Sequence, residues 1–142
     1  MVQAARALVL DCSLPLAWYL EDERTDFTES VFEELTRAEV WVPVLWMLEF
    51  PNALIVATQR VRISDDWRRE VLQRAALLPL RIDDTHVPLA QIGDLATRVN
   101  LTTYDTAYLE LAMRRGLRLA TLDKKLIAAA RSVEHPLLTE IG

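Results

Sequence analysis

Four acidic residues occupy positions from which their carboxylates could form one site. Asp11 and Asp123 each follow an apolar run, Asp105 lies in the first turn of a predicted helix, and Glu49 interrupts a long apolar stretch. Carboxylates brought together repel one another unless a cation holds them. Oxygen ligands without His or Cys suit Mg²⁺ or Mn²⁺, which activate water and stabilise charge on a phosphodiester. The acids could therefore support hydrolysis of a phosphodiester.

Glu49 is the one charged residue between positions 40 and 59. Burying an unpaired carboxylate destabilises a fold by roughly several kcal/mol, unless its pKa rises until the group is neutral. Glu49 is therefore expected to have a polar partner, to reach water at an exposed position, or to hold a cation.

Each of the other acids also has a simpler explanation. Asp11, Asp105 and Asp123 all lie near predicted helix starts, where a carboxylate caps backbone N–H groups and complements the helix dipole. Either role fits each residue taken alone.

Several other residues also allow two interpretations. Ser13 could support the acids or cap the helix that follows, and Thr121 could orient a metal-bound water or satisfy a strand end. Tyr108 shares helical spacing with core positions and is interpreted as core. Arg114, Arg115 and Arg118 could contact phosphates, although an ordinary solvated helix end is the simpler explanation.

Short apolar runs alternate with amphipathic helical segments, which predicts right-handed crossovers and a mostly parallel sheet of four to five strands, covered on both faces. Ligands of such sheets bind beyond the carboxyl ends of the strands, where Asp11 and Asp123 are expected. The predicted strands are 7–10, 40–43, 78–83, 117–121 and 135–140, and the predicted helices are 12–20, 25–38, 45–59, 64–78, 85–99, 102–116 and 123–132.

The bulk composition indicates one domain over residues 1–142, with 51% hydrophobic residues and a core that needs no disulfide. One Cys and two His exclude a Cys/His zinc site. The net charge of −5 argues against a broad basic surface, so any nucleic-acid contact would be local. The apolar stretch 40–59 contains Pro43, Pro51 and Asn52, so core segments are expected there and no membrane span. A poor signal-peptide pattern and the single Cys favour the cytoplasm.

Three segments and the chain length together resemble the PIN domain, and more closely the VapC-type toxins of type II toxin–antitoxin pairs. The segments are LVLDCSLPLAWYLEDE, VWVPVLWMLEFPNAL and LTTYDTAYLELAMRRGLRLATLDKKL, and the last contains the ordered patterns Tyr-Asp-x-x-Tyr and Thr-x-Asp-x-x-Leu. The resemblance extends over residues 8–130.

This resemblance implies a PIN-like three-layer α/β/α sandwich in which Asp11, Glu49, Asp105 and Asp123 are the acidic catalytic and metal-binding residues. It implies an endoribonuclease that depends on Mg²⁺ or Mn²⁺ and acts on tRNA, rRNA or mRNA. It also implies a homodimer, and inhibition by a cognate antitoxin whose tail enters the active-site groove.

Three other interpretations remain open. The chain could be a non-catalytic PIN-like binding module, or an RNA-processing PIN nuclease outside a toxin–antitoxin pair. A receiver domain or an aspartate phosphatase fits less well. A phosphatase would have a second Asp two residues after the first, where this chain has Ser13.

Overall fold

In the computed structural model, which describes residues 7–138, five parallel strands form one sheet. The sheet confirms the predicted strand number, and the pairing is parallel throughout. Its strands are β1 (Leu8–Leu10), β2 (Val40–Pro43), β3 (Leu80–Asp83), β4 (Arg118–Ala120) and β5 (Leu137–Leu138), in the spatial order β3-β2-β1-β4-β5.

Strand β1 lies at the centre of the sheet, between β2 and β4. All three of its residues are completely buried, as expected for a parallel strand covered on both faces. Leu10 pairs with Ala120, so the chain leaves β1 and β4 at the same edge. The residues that follow these two strands are consequently neighbours, although more than 100 positions separate them in the sequence.

Within residues 7–138, seven α-helices cover the sheet in two groups. They are α1 (Ser13–Tyr19), α2 (Asp26–Glu34), α3 (Trp46–Gln59), α4 (Asp65–Ala75), α5 (Leu89–Val99), α6 (Thr103–Arg115) and α7 (Lys124–Ser132). Helices α5, α6 and α7 pack on one another, and α6 lies against β1, β2 and β4. Helices α1 to α4 form the second group, in which α3 contacts β2. The arrangement is the predicted three-layer α/β/α sandwich.

Element boundaries differ from the predictions mainly at helix starts and ends. The helix predicted over 85–99 begins only at Leu89, because Pro88 precedes its first turn and the Thr85 N–H is bound by the Asp83 carboxylate. The helix predicted over 25–38 ends at Glu34. A short 3₁₀ helix over Glu21–Glu23 was not predicted. The predicted strand 135–140 is reduced to β5 in the described residues, and positions 139–140 lie outside them.

The apolar stretch 40–59 forms strand β2 and helix α3, as expected. Phe50 and Leu54 of α3 are buried, and Trp46 stacks on Phe50 with ring centroids 4.9 Å apart. Within residues 7–138, no helix combines the length and the apolar character that crossing a membrane requires.

Candidate active site

A groove of about 310 Å³ lies beyond the carboxyl ends of β1 and β4. The chain contributes to it from the loop after β1 and from helices α1, α3, α6 and α7. All four acids singled out from the sequence line this groove. The lining residues are Asp11, Cys12, Ser13, Leu16, Glu49, Asn52, Ala53, Asp105, Tyr108, Asp123 and Leu126.

Asp11 is the most buried of the four acids, with 6% of its surface exposed. Its Oδ1 accepts hydrogen bonds from the Ser13 hydroxyl at 2.6 Å and the Ser13 backbone N–H at 3.1 Å, and its Oδ2 accepts one from the Thr121 hydroxyl at 2.6 Å. The pKa of Asp11 is raised to about 6, chiefly by burial and to a smaller extent by the nearby Asp123 carboxylate, while the hydrogen bonds from Ser13 and Thr121 oppose the shift. Asp11 is thus fixed in position but not fully compensated in charge.

Ser13 does not cap α1, contrary to one of its two readings. The cap position belongs to Cys12, which makes no side-chain capping bond. The Ser13 hydroxyl instead donates to Asp11 and accepts the backbone N–H of Leu122 at 2.9 Å. It therefore ties the loop after β1 to the loop after β4.

Asp123 has the capping role that the sequence allowed. Its Oδ1 accepts the N–H of Lys125 at 2.9 Å and that of Leu126 at 3.5 Å, at the start of α7. Its own N–H donates to the Thr121 hydroxyl at 3.0 Å. Asp123 nevertheless lines the groove and acts electrostatically on Asp11, so capping and a site role are compatible here.

Glu49 has a polar partner, which answers why one carboxylate stands in the apolar stretch. The Tyr108 hydroxyl donates to Glu49 Oε1 at 2.5 Å, and Glu49 is half-buried at the groove. Partial burial raises the pKa of Glu49, the Tyr108 hydrogen bond opposes this, and the Asp105 carboxylate adds to it. Tyr108 is buried, as predicted for a core residue, with 2% of its surface exposed, but it also lines the groove. Its helical spacing predicted the burial and gave no signal for the hydroxyl.

Asp105 is half-buried in the first turn of α6, but it does not cap that helix. The cap is Thr102, whose hydroxyl accepts the Asp105 N–H at 3.1 Å. The start of the helix therefore orients the Asp105 carboxylate, which remains available to the groove. There its negative charge repels that of Glu49.

The donor chemistry of the groove fits a hard divalent cation. Its acids are oxygen ligands in two mutually repelling pairs, Asp11 with Asp123 and Glu49 with Asp105. Within residues 7–138, no three acidic, His or Cys side chains are drawn together as a ready metal-binding cluster. The free thiol Cys12 also lines the groove, and burial raises its pKa, which disfavours a thiolate.

Arg114 and Arg115 partly reach solvent at the end of α6, as a solvated helix end would, but they are also bound to another part of the fold. Both guanidinium groups bind the buried carboxylate of Asp83 at the end of β3, with N–O distances of 2.8–3.1 Å. Arg114 also binds Glu110, and Arg115 lies 3.6 Å from the ring centroid of Trp41. These contacts secure the C-terminal end of α6, the helix that carries Asp105 and Tyr108.

A larger groove of about 830 Å³ lies away from the acids. Aromatic and aliphatic side chains dominate its lining, with the Arg24–Glu29 ion pair among them. It offers one carboxylate, already paired, and therefore lacks the chemistry of the acidic groove.

Comparison with known proteins identifies a family and a shared fold. The PIN domain family model matches residues 8–132. No match is found among curated proteins. PAE2754 from Pyrobaculum aerophilum is 23% identical, with a TM-score of 0.63 over 89% of this chain and 87% of that chain. VapBC2 from Rickettsia felis, bound to a DNA fragment from their promoter, is 13% identical, with a TM-score of 0.69 over 94% and 98%. FitAcB from Neisseria gonorrhoeae is 14% identical, with a TM-score of 0.61 over 92% and 96%.

Proposed function

The chain belongs to the PIN-domain family, and on that premise we propose that it is a Mg²⁺- or Mn²⁺-dependent endoribonuclease and the toxin of a type II toxin–antitoxin pair. PIN domains are generally nucleases. The observation that carries the proposal is the groove to which four separate chain segments each bring one carboxylate, Asp11, Glu49, Asp105 and Asp123. The VapC-like sequence segments support the toxin assignment, as does the similarity of fold to VapBC2.

Asp11, Glu49, Asp105 and Asp123 would hold the divalent cation, which when bound supplies a Lewis acid and an activated water. Asp11 is held by Ser13 and Thr121 and would give the most rigid ligand. The raised pKa of Asp11 reflects a buried negative charge that its hydrogen bonds do not fully offset, and a bound cation would offset it.

RNA contacts would be local, because the chain carries a net charge of −5. Lys124 and Lys125 are exposed at the start of α7, directly after Asp123, and are suited to bind phosphates beside the acids. The cation would reduce the repulsion between the acidic groove and the RNA backbone.

The proposed partners are a protein antitoxin and a second copy of the chain, in the cytoplasm. Two of the similar structures are of paired proteins, VapBC2 and FitAcB, which supports an antitoxin. Val44, Leu48 and Ile55 are exposed at helical spacing on or beside α3, which supports self-association. Sedimentation of wild type and Leu48→Glu tests this: a dimer that the charge converts to a monomer is expected, and a wild-type monomer would contradict it.

Cleavage of RNA tests the proposed activity. Purified wild type, Asp11→Asn and the exposed-acid control Asp94→Asn are incubated with labelled tRNA or total RNA and with single-stranded DNA, in Mg²⁺, in Mn²⁺ or in EDTA. We expect discrete RNA fragments from wild type and Asp94→Asn, only with metal, and none from Asp11→Asn. Cleavage by Asp11→Asn would overturn the assignment of the site. Cleavage of DNA alone would overturn the assignment of RNA.

Growth tests the toxin assignment separately. Induced expression of the wild type is expected to arrest a bacterial host, whereas Asp11→Asn at equal protein level is expected to leave growth unchanged. RNA cleavage without growth arrest would favour an RNA-processing nuclease over a toxin.

A further inference from the structure

We propose that Tyr108 is a positioning residue, whose hydroxyl holds the Glu49 carboxylate in the orientation from which its second oxygen reaches the cation. This inference rests on the proposed function and adds to it a residue outside the four acids. Tyr108 would contact Glu49 and neither the cation nor the RNA.

The contact between the two residues is short and built into the fold. Tyr108 Oη lies 2.5 Å from Glu49 Oε1 and joins α6 to α3 across 59 positions of sequence. The Tyr108 ring is 2% exposed, so neighbouring side chains fix its orientation before it meets Glu49. Cys12 Sγ lies 3.6 Å from the same hydroxyl and limits where that hydroxyl can turn.

Glu49 depends on this contact more than Asp11 depends on any one of its own. Asp11 accepts three hydrogen bonds, two from Ser13 and one from Thr121. The hydrogen bond that Glu49 receives within the described part of the chain comes from Tyr108. A glutamate side chain has more rotamers to lose than an aspartate, so an anchor matters more to Glu49.

The direction of the hydrogen bond leaves one carboxylate oxygen for a ligand. A phenol with an ordinary pKa of about 10 is a donor at neutral pH. It therefore occupies Oε1 and leaves Oε2 without a bond in the described structure. Partners that orient metal ligands in this way are known to change metal affinity by about 10–100-fold when they are removed.

Calorimetric titration with Mn²⁺ tests the inference without relying on activity. The proteins compared are wild type, Tyr108→Phe, Glu49→Gln and the double variant. Tyr104→Phe is the matched control, because Tyr104 lies one turn earlier on α6 and is 64% exposed. We expect Tyr108→Phe to weaken Mn²⁺ binding about 10–100-fold, Tyr104→Phe to leave it unchanged, and Tyr108→Phe to add nothing once Glu49 is Gln.

The double variant separates positioning from a general structural role. If Tyr108→Phe weakened binding by the same factor in the Glu49→Gln background, Tyr108 would act elsewhere and the inference would be wrong. Normal Mn²⁺ binding by Tyr108→Phe, with loss in Glu49→Gln, would overturn this inference and leave the proposed function standing. Absence of Mn²⁺ binding by the wild type would overturn both.

A second measurement, ¹⁹F NMR, is made on the protein with Tyr108 in place. The chain has three tyrosines, Tyr19, Tyr104 and Tyr108, so incorporation of 3-fluorotyrosine gives three ¹⁹F resonances. Of the three, Tyr108 alone lines the acidic groove. Titration with Mg²⁺ is expected to shift the Tyr108 resonance most, with assignment from Tyr104→Phe and Tyr19→Phe. An unmoved Tyr108 resonance at saturating Mg²⁺ would contradict the inference.

Discussion

The Thr121 hydroxyl donates a hydrogen bond to Asp11 Oδ2 at 2.6 Å, across 110 positions of sequence and between the segments that follow the adjacent strands β1 and β4. The same hydroxyl accepts the backbone N–H of Asp123 at 3.0 Å. Thr121 is completely buried, so the packing around it fixes its position. Thr121 in turn fixes Asp11, which follows β1, and Asp123, which follows β4. The geometry of the acidic groove therefore depends on a side chain that carries no charge.

Replacing Thr121 with Val keeps the shape and removes this link. One oxygen of a buried carboxylate loses its donor, which is expected to cost about 1–3 kcal/mol of unfolding free energy. Because Asp11 would also lose its fixed orientation, we expect RNA cleavage to fall about 10–100-fold. Urea denaturation measures the first effect and a cleavage assay the second.

Thr97→Val is the control for this change, because Thr97 is exposed on α5 and binds the Gly93 carbonyl of its own helix. It is expected to change stability by at most a few tenths of a kcal/mol, roughly the propensity difference between the two residues. Equal losses of activity in Thr97→Val and Thr121→Val would contradict a specific role for Thr121.

Asp11 gives the metal-free protein a predicted pH dependence. The pKa of Asp11 is about 6 in the folded protein and 3.8 when unperturbed. Between these two pH values the folded state binds more protons than the unfolded state. The contribution of Asp11 to stability is therefore fully present below pH 3.8 and is lost as pH rises through 6. The loss is of the order of 3 kcal/mol, from about 1.4 kcal/mol per pKa unit.

Urea denaturation in EDTA at several pH values between 4 and 7 measures this loss. The Asp11→Asn variant has no charge at this position, so its unfolding free energy is expected to fall less over the same range. A smaller decline would remain in the variant, because the pKa of Glu49 is also raised. Identical slopes in wild type and variant would show that Asp11 does not titrate as described.

Asp83 is expected to have the opposite pH dependence. Arg114 and Arg115 hold the pKa of Asp83 well below its usual range. Asp83 therefore stabilises the fold above its unfolded pKa of 3.8, and this stability is lost as pH falls through the lower folded pKa.

Asp83→Asn is predicted to lower the unfolding free energy by about 3 kcal/mol at pH 7. This value is at the low end for a broken buried ion pair, because both arginines partly reach solvent. Urea denaturation measures it. Asp84→Asn, at the exposed position next to it, is the control and should have little effect. If Asp83→Asn were as stable as Asp84→Asn, the contacts of Arg114 and Arg115 would not secure α6.

The sequence predicts the sheet, the helices and the common location of the four acids well, because strand-following carboxylates and apolar periodicity are local signals. Asp11 and Asp123 could be brought to one edge by reasoning from parallel pairing alone. Helix ends are less predictable, as the helix that starts at Leu89 shows. Pro88 is its N-cap residue, and the Asp83 carboxylate accepts the Thr85 N–H in the segment before it.

Contacts between distant polar groups could not be predicted. The partner of Glu49 is Tyr108, and the partners of Asp83 are Arg114 and Arg115, in both cases across the fold. A tyrosine at a buried helical position looks the same in sequence whether its hydroxyl meets water or a carboxylate. Two arginines at a helix end likewise give no sign of the acid that they bind.

The groove between Asp11, Glu49, Asp105 and Asp123 is proposed to bind a divalent cation. Diffraction from crystals grown with Mn²⁺, measured at the manganese absorption edge, tests it most directly. We predict an anomalous peak within the groove, within bonding distance of carboxylate oxygens, that is lost in Asp11→Asn crystals. A peak only outside this groove, or none with Mn²⁺ in excess, would contradict the claim.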